Sequence, residues 1–426
     1  MKIINNPPRS DWKALCERPS IELDYLESSV RNILNRVKNS GDNALIEFAR
    51  QYDKASIESV PVSPQEIRDA ANKLSAGLKQ SIQIAAANIR KFHESQQRSS
   101  EVIETMPGVQ CWRKAVAIER VGIYIPGGTA PLFSTVLMLG IPASIAGCKE
   151  IILCSPPTSN GTIHPAILYA ADQAGITRMF KCGGAQAVAA MAYGTASIPP
   201  VNKIFGPGNQ YVTKAKQLVS QEGVAIDLPA GPSEVLVIAD EAADPGFVAA
   251  DLLAQAEHGK DSQVVLVTSG TSLTQKVQAA IQQQLATLPR KAIAEECLSN
   301  SLSIVFANNN DVIDFTNDYA PEHLIINTQD ADVLADAITN AGSIFIGAWS
   351  PESAGDYASG TNHTLPTNGF AKSHGGVALE SFVKYITYQK LSREGLAKLG
   401  PHVETMAEAE ELVGHKNSIT IRLKSK

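Results

Sequence analysis

Three short runs of consecutive, largely β-branched apolar residues constrain the fold of this chain more than any other feature. They are Ile151-Ile152-Leu153-Cys154, Val235-Leu236-Val237-Ile238 and Val264-Val265-Leu266-Val267. A strand apolar on both faces must be covered on both faces, which is the signature of a parallel sheet between helical layers. Helical patterns alternate with the runs. A proline-containing loop and a helical segment, Ala166 to Gln173, follow the first run, and Asp244 to His258 reads as the crossover helix between the second and third. Two βαβ blocks in succession imply two related α/β domains, and no strong sequence repeat marks a duplication.

The helix 244–258 is marked at both ends. Asp244 is a natural N-cap, Pro245 suits the first helical position, Phe247, Val248, Leu252 and Leu253 supply the apolar face, and Gly259 reads as its C′ residue. Gln255 and His258 are spaced i, i+3 at its C-terminal end, so they share a face where the helix dipole favours a cation. Upstream, the first hundred residues look helical. Leu26, Val30, Ile33, Leu34 and Val37 recur at helical spacing, and Ser63-Pro64-Gln65-Glu66 is a capping box. The segment Gly342 to Gly376, rich in Gly, Ser, Thr, Asn and Pro, reads as an active-site loop, followed by a helical tail, Leu391 to Val413, and a short strand, Ser418 to Leu423.

Composition narrows the function classes. With 426 residues, 44% of them hydrophobic and 19% charged, the chain can bury a large core in two or more domains. A net charge of −6 gives no general attraction for nucleic acid or an anionic membrane. No apolar run approaches the roughly 20 residues of a membrane span, and Met1 to Ser10 lacks an apolar signal-peptide core, so a cytoplasmic location is expected. The six cysteines, at 16, 111, 148, 154, 182 and 297, are scattered without a C-x-x-C pair, which argues against a disulfide framework or a thiolate zinc site.

Four constellations carry candidate chemistry. Glycine loops occur at Gly127-Gly128, Gly183-Gly184 and Gly206-Pro207-Gly208; none matches the G-x-G-x-x-G or P-loop fingerprint, but together they suggest a ligand site at the carboxyl ends of strands. Pro321-Glu322-His323-Leu324 places a carboxyl and an imidazole side by side before an apolar run. Neighbouring residues point apart, so two separate proton-transfer roles fit them better than one oriented pair. Asp356, between a glycine and a tyrosine, reads either as a turn residue or as a carboxylate ligand. His415, just past a helical stretch, reads either as a dipole partner or as a ligand.

Taken together, these segments resemble histidinol dehydrogenases over nearly the whole chain. The resemblance rests on Val121-Gly122-Ile123-Tyr124-Ile125-Pro126-Gly127-Gly128, Gly183-Gly184-Ala185-Gln186, Phe205-Gly206-Pro207-Gly208-Asn209 and Ala230-Gly231-Pro232-Ser233-Glu234. It continues through Gln255-Ala256-Glu257-His258-Gly259, Pro321-Glu322-His323-Leu324, Asp356 to His363, and His415-Lys416-Asn417. It implies an enzyme that oxidises L-histidinol to L-histidine through L-histidinaldehyde with two NAD+. It also implies zinc on Gln255, His258, Asp356 and His415, the last supplied by the neighbouring subunit of a homodimer. Substrate contacts are implied at Ser233, Gln255, His258, His323, Asp356, His363, Glu410 and His415, NAD contacts at Tyr124, Gln186 and Asn209, and a catalytic pair at Glu322 and His323.

The architecture expected is α/β, with two Rossmann-like domains of parallel sheet flanked by helices and small terminal segments intertwined in the dimer. Its expected parts are an N-terminal segment, 1–20, a first domain of 21–123 and 234–377 with the zinc and catalytic residues, an NAD-binding domain, 124–233, and a tail, 378–426, reaching the partner subunit.

Two imidazoles, one amide and one carboxylate leave zinc a net positive charge. Glutamine is an unusual zinc ligand, and four protein ligands normally close a tetrahedral site, so catalytic use requires expanded coordination by the substrate's imidazole and amine. The same donors also suit other divalent ions. Glu410 is expected either to contact the substrate ammonium or imidazole or to support His415. Two rival readings stand beside this one: an aldehyde dehydrogenase-like enzyme using Cys148 or Cys154 as nucleophile, and a non-catalytic nucleotide-binding protein with a structural zinc.

Overall fold

In the computed structural model, residues 1–18, 24–127, 131–228 and 231–425 are described. They form two compact units: Met1–Ser95 with Ile118–Phe382, and Gln96–Ala117 with Val383–Lys426.

The larger unit contains two all-parallel sheets. One runs in the spatial order Arg178–Lys181, Glu150–Ser155, Arg120–Tyr124, Lys203–Phe205, Ala225–Ile226. The other runs Lys2–Asn5, Leu302–Val305, Gln263–Thr268, Glu234–Ala239, His323–Asn327, Ser343–Ile346. Counted within each block, both follow the order 3-2-1-4-5, and the second gains the N-terminal strand at its edge. The shared winding is what two related α/β blocks require. The period of two is visible in the strand 234–239: Val235 and Val237 enter the apolar layer under the helices Pro245–Ala256 and Thr271–Leu285. Leu236 and Ile238 enter the opposite layer with Trp12, Phe315 and Tyr319. Expected parallel sheets and observed ones agree because these strands are apolar on both faces.

Several expectations are corrected. The boundary at residue 124 falls at the last residue of the strand Arg120–Tyr124, which belongs wholly to the five-stranded sheet. Residues 27–94, expected in the first domain, cover that same sheet: Glu27–Phe48 packs on Gly184–Tyr193 and Gln210–Gln221, and Ala76–Glu94 packs on Phe133–Ala146. Residues 2–5, expected in a separate N-terminal segment, are an edge strand paired with Leu302–Val305. Residues 19 and 20 of that segment lie outside the described residues. The segment 342–376 is not one loop, since it holds the strand Ser343–Ile346 and the helix Glu352–Tyr357.

The smaller unit joins the antiparallel strands Val102–Met106, Val109–Ala117 and Val383–Leu391 to the helices Arg393–Ala409 and Val413–Lys424. The tail therefore shares a unit with residues 96–117. The strand expected at 418–423 is helix: Ile419 and Leu423, one turn apart, close over Gly400 of the preceding helix, and this packing overrides the strand preference of the β-branched Ile419, Thr420 and Ile421. Among the described residues no helix is long and apolar enough to cross a membrane.

Candidate active site

The first candidate site follows from the winding of the five-stranded sheet. Its order reverses between Arg120–Tyr124 and Lys203–Phe205, and ligands bind outside the carboxyl ends of strands at such a point. A cavity of about 840 Å³ lies there, lined among others by Tyr124, Gly127, Gln186 and Asn209. Tyr124 is the last residue of its strand, and its hydroxyl accepts a 3.0 Å hydrogen bond from the Gly184 amide, which opens the helix Gly184–Tyr193. Asn209 caps the helix Gln210–Gln221, its side chain accepting from the amides of Tyr211 and Val212. Gly206 adopts φ +120°, and a Cβ there would lie 2.0 Å from the Tyr124 carbonyl oxygen, so only glycine lets the two strand ends approach. Two helix N-termini thus face one cavity of mixed polar and apolar lining, a setting suited to an extended anionic ligand. The three residues expected to contact NAD all line it. Gly128 lies outside the described residues.

The second candidate site is a buried polar cluster beside the six-stranded sheet. His323 begins the strand His323–Asn327, and Glu322 precedes it. The adjacent strand Glu234–Ala239 fixes both through one residue: the Glu234 amide donates to Glu322 Oε2 at 2.9 Å, and the Glu234 carbonyl lies 3.2 Å from His323 Nδ1. Around the imidazole stand three carboxylates: Glu322 Oε2 at 3.6 Å and Glu352 Oε1 at 3.7 Å from Nδ1, and Asp356 Oδ1 at 3.5 Å from Nε2. His363 donates through Nδ1 to the Asp356 carbonyl, 2.8 Å away, and its Nε2 lies 3.0 Å from Thr135 Oγ1. Thr135 lies in the helix Phe133–Ala146 that follows the first strand of the five-stranded sheet, so His363 links the polar cluster to that half of the unit.

Gln255 and His258 approach from the helix Pro245–Ala256, which packs against Glu352–Tyr357. Asp244 caps the former helix as expected, accepting from Gly246 and Phe247. The expected stop at Gly259 is corrected. The helix ends at Ala256 with Glu257 in right-handed conformation as its C-cap, and the His258 amide returns to the Gln255 carbonyl. The turn continues through His258 because its amide makes that closing bond one residue before the glycine.

Electrostatics makes the cluster short of positive charge. Burial, partly offset by His323, pushes Glu322 up to about 7. Burial also pushes Glu352 up to about 8, again against His323, with Asp356 and Glu322 adding repulsion. Burial opposes a charged His323, but Glu352, Glu322 and Asp356 outweigh it and raise its pKa well above the histidine range. Asp356 is likewise opposed by burial, yet His323 holds it below its ordinary value. Burial lowers His258 and His363, and Asp356 works in the opposite direction on each.

Unpartnered atoms coincide with this shortage. Both amide atoms of the fully buried Gln255, His323 Nε2, Glu352 Oε2 and Asp356 Oδ1 lack hydrogen-bond partners. A buried amide with neither end satisfied is costly, and so are uncompensated buried carboxylates. A divalent cation held by nitrogen and oxygen donors would meet both needs, so the residues present fit one. His323, Glu352 and Asp356 themselves bring ligand atoms within 4.8 Å of one another.

Among the expected residues, Asp356, His323, Glu322, His258 and His363 act on one another electrostatically or through hydrogen bonds, and Gln255 sits one turn from His258. Ser233 immediately precedes Glu234, and its carbonyl accepts from the Gln263 amide. Ala230 lies outside the described residues. Glu410 and His415 belong to the smaller unit, where both are exposed, Glu410 as C-cap of Arg393–Ala409 and His415 in the first turn of Val413–Lys424. Glu352 is missing from the expected set. Its signal is its spacing from Asp356, i and i+4, which puts two carboxylates on one helix face. The candidate thiol nucleophiles are poorly suited to that role: burial raises both, Cys148 to about 11 and the fully buried Cys154 further still.

Comparison with known proteins identifies the family. The family model for histidinol dehydrogenase matches residues 16–423. The histidinol dehydrogenase of Bacteroides fragilis is 56% identical over 423 residues, covering 99% of each chain. That of Escherichia coli is 50% identical over 422 residues, covering 98% of this chain and 96% of its own. The crystal structure of histidinol dehydrogenase from Elizabethkingia anophelis is similar with a TM-score of 0.98 and 54% identity, covering 100% of this chain and 98% of its own.

Proposed function

We propose, from the premise that this chain belongs to the histidinol dehydrogenase family, that it oxidises L-histidinol to L-histidine through L-histidinaldehyde with two NAD+. The observation that carries this reading is the buried acid–base cluster around His323, with its unpartnered amide, imidazole and carboxylate atoms. Zinc is proposed on Gln255, His258 and Asp356, completed by His415 of a second copy in a homodimer. When bound, it supplies a Lewis-acid anchor for the substrate's imidazole and amine, and no redox chemistry.

The protein groups divide the remaining work. His323 takes the hydroxyl proton of histidinol as hydride leaves for the nicotinamide. To act so it must first shed the proton that Glu352, Glu322 and Asp356 hold on it, and compensation of the Asp356 charge favours that loss. Glu322, whose carboxyl titrates near neutrality, takes a proton from water as the water adds to the aldehyde carbon. His323 then takes the hydrate's hydroxyl proton in the second oxidation. Ser233, His363 and Glu410 are proposed substrate contacts, with Glu410 either reaching the substrate directly or supporting His415. NAD+ is proposed in the 840 Å³ cavity, against Tyr124, Gln186 and Asn209. A biosynthetic enzyme of this kind is placed in the cytoplasm.

The test is NADH formation from histidinol and from histidinaldehyde, before chelation, after it, and after return of zinc. Activity on both substrates that falls with chelation and recovers with zinc supports the reading. No NADH from histidinol rejects it.

A further inference from the structure

Glu234 is fully buried at the start of its strand, and its main chain holds both members of the pair through the Glu322 carboxylate and the His323 ring. The position of that main chain depends in turn on the Glu234 side chain, which is itself held from three directions. Arg18 Nε donates to Glu234 Oε2 at 2.6 Å, with both side chains almost wholly buried. The Tyr319 hydroxyl lies 3.2 Å from the same oxygen and 2.7 Å from Gln263 Oε1, and the Asn368 backbone amide donates to Glu234 Oε1 at 2.8 Å.

Arg18 does more than neutralise this carboxylate. Its guanidinium lies 3.5 Å from the centroid of the Tyr319 ring, and its remaining donors reach the carbonyls of Cys16, Tyr319 and Ala320. Ala320 has φ +52°, a left-handed conformation that a non-glycine residue adopts only when its surroundings impose it. Two residues later the chain presents Glu322 and then His323. One planar cation thus ties the end of the helix Asn309–Tyr319, the left-handed turn after it and the first residue of the neighbouring strand to a single point. A lysine carries the same charge but lacks the fork needed to reach all of them.

We propose that Arg18 and Glu234 are positioning residues for the histidinol oxidation, setting the placement of Glu322 and His323 from behind; this rests on the reading of those two as the acid–base pair. Displacement of a reacting group by even part of an ångström slows chemistry more than it weakens cofactor binding, which occurs at a different cavity.

The experiment measures kcat, KM for NAD+ and the thermal midpoint in wild type, Arg18→Lys, Arg18→Met and the double variant Arg18→Met/Glu234→Gln. In Arg18→Met and Arg18→Lys, kcat is expected to fall about 10-fold or more while KM for NAD+ stays within about twofold. The double variant, which removes the unpaired buried carboxylate, is expected to recover the thermal midpoint but not kcat. It keeps the test decisive if Arg18→Met alone does not fold. A kcat within about twofold of wild type in Arg18→Lys, or recovery of kcat together with the midpoint in the double variant, overturns the proposal. Wild-type protein that does not reduce NAD+ with histidinol instead rejects the assigned reaction, and the two failures are thereby distinct.

Discussion

Replacing Gln255 by leucine should move the metal-free and metal-bound proteins in opposite directions. The Gln255 side chain is fully buried, and neither Nε2 nor Oε1 has a partner. An unsatisfied buried polar group costs about 1–3 kcal/mol, and leucine fills a similar volume with no polar atom to desolvate. The metal-free Gln255→Leu protein should therefore be more stable by an amount of that order. Because unfolding entropy scales with chain length, this corresponds to a thermal midpoint higher by about 1–3 °C. Loss of the amide oxygen should cost the metal site at least about 10- to 100-fold in affinity. Calorimetry in chelator reads the first effect and titration with zinc reads the second. A variant that melts lower than wild type in chelator, or that binds zinc as tightly, would refute the argument that this amide is buried for a cation.

Titration of the cluster gives a second expectation. Glu322 and Glu352 have folded-state pKa values near 7 and 8, above the ordinary carboxyl value of 4.5, and His323 is also raised. Each binds its proton more tightly folded than unfolded. Metal-free stability should therefore fall as pH rises from about 6.5 to 8, above the range in which the lowered His258 and His363 act in the opposite sense, by up to about 1.4 kcal/mol per pH unit for each group in transition. Thermal midpoints across that range in chelator check the sign, and a midpoint that rises with pH contradicts it. Glu322→Gln should impair histidinaldehyde oxidation about 10²-fold or more while sparing alcohol oxidation by comparison, measured with each substrate separately; equal losses would disprove the division of labour. The Cys148→Ala, Cys154→Ala double variant should retain activity, whereas its inactivation would restore the thiol-nucleophile mechanism.

Legibility in the sequence followed the range of the interactions involved. The strand Glu234–Ala239 and the caps at Ser63 and Asp244 were readable because apolar runs and cap hydrogen bonds are local. The edge strand Lys2–Asn5 was not, because only its pairing with residues 302–305, distant in sequence, makes it a strand. The helix Val413–Lys424 is not legible because Ser418 to Leu423 alternates like a strand, and the contact with Gly400 that decides the matter is tertiary. Glu322, His323 and Asp356 stood out through their motifs. Glu352 did not, since a lone glutamate after a proline resembles any helix start until folding brings it to His323.

The account's central claim is that the cluster around His323 is a catalytic site completed by His415 of a second copy. Mixing Glu322→Gln protein, inactive on histidinaldehyde, with inactive His415→Ala protein, under conditions that let subunits exchange, tests this directly. Each mixed dimer would pair an intact Glu322 in one chain with an intact His415 from the other, restoring one of its two sites. The account predicts recovery of about a quarter of wild-type NADH formation from histidinaldehyde. Exchange demonstrated by labelled subunits, with no recovery of activity, would contradict it.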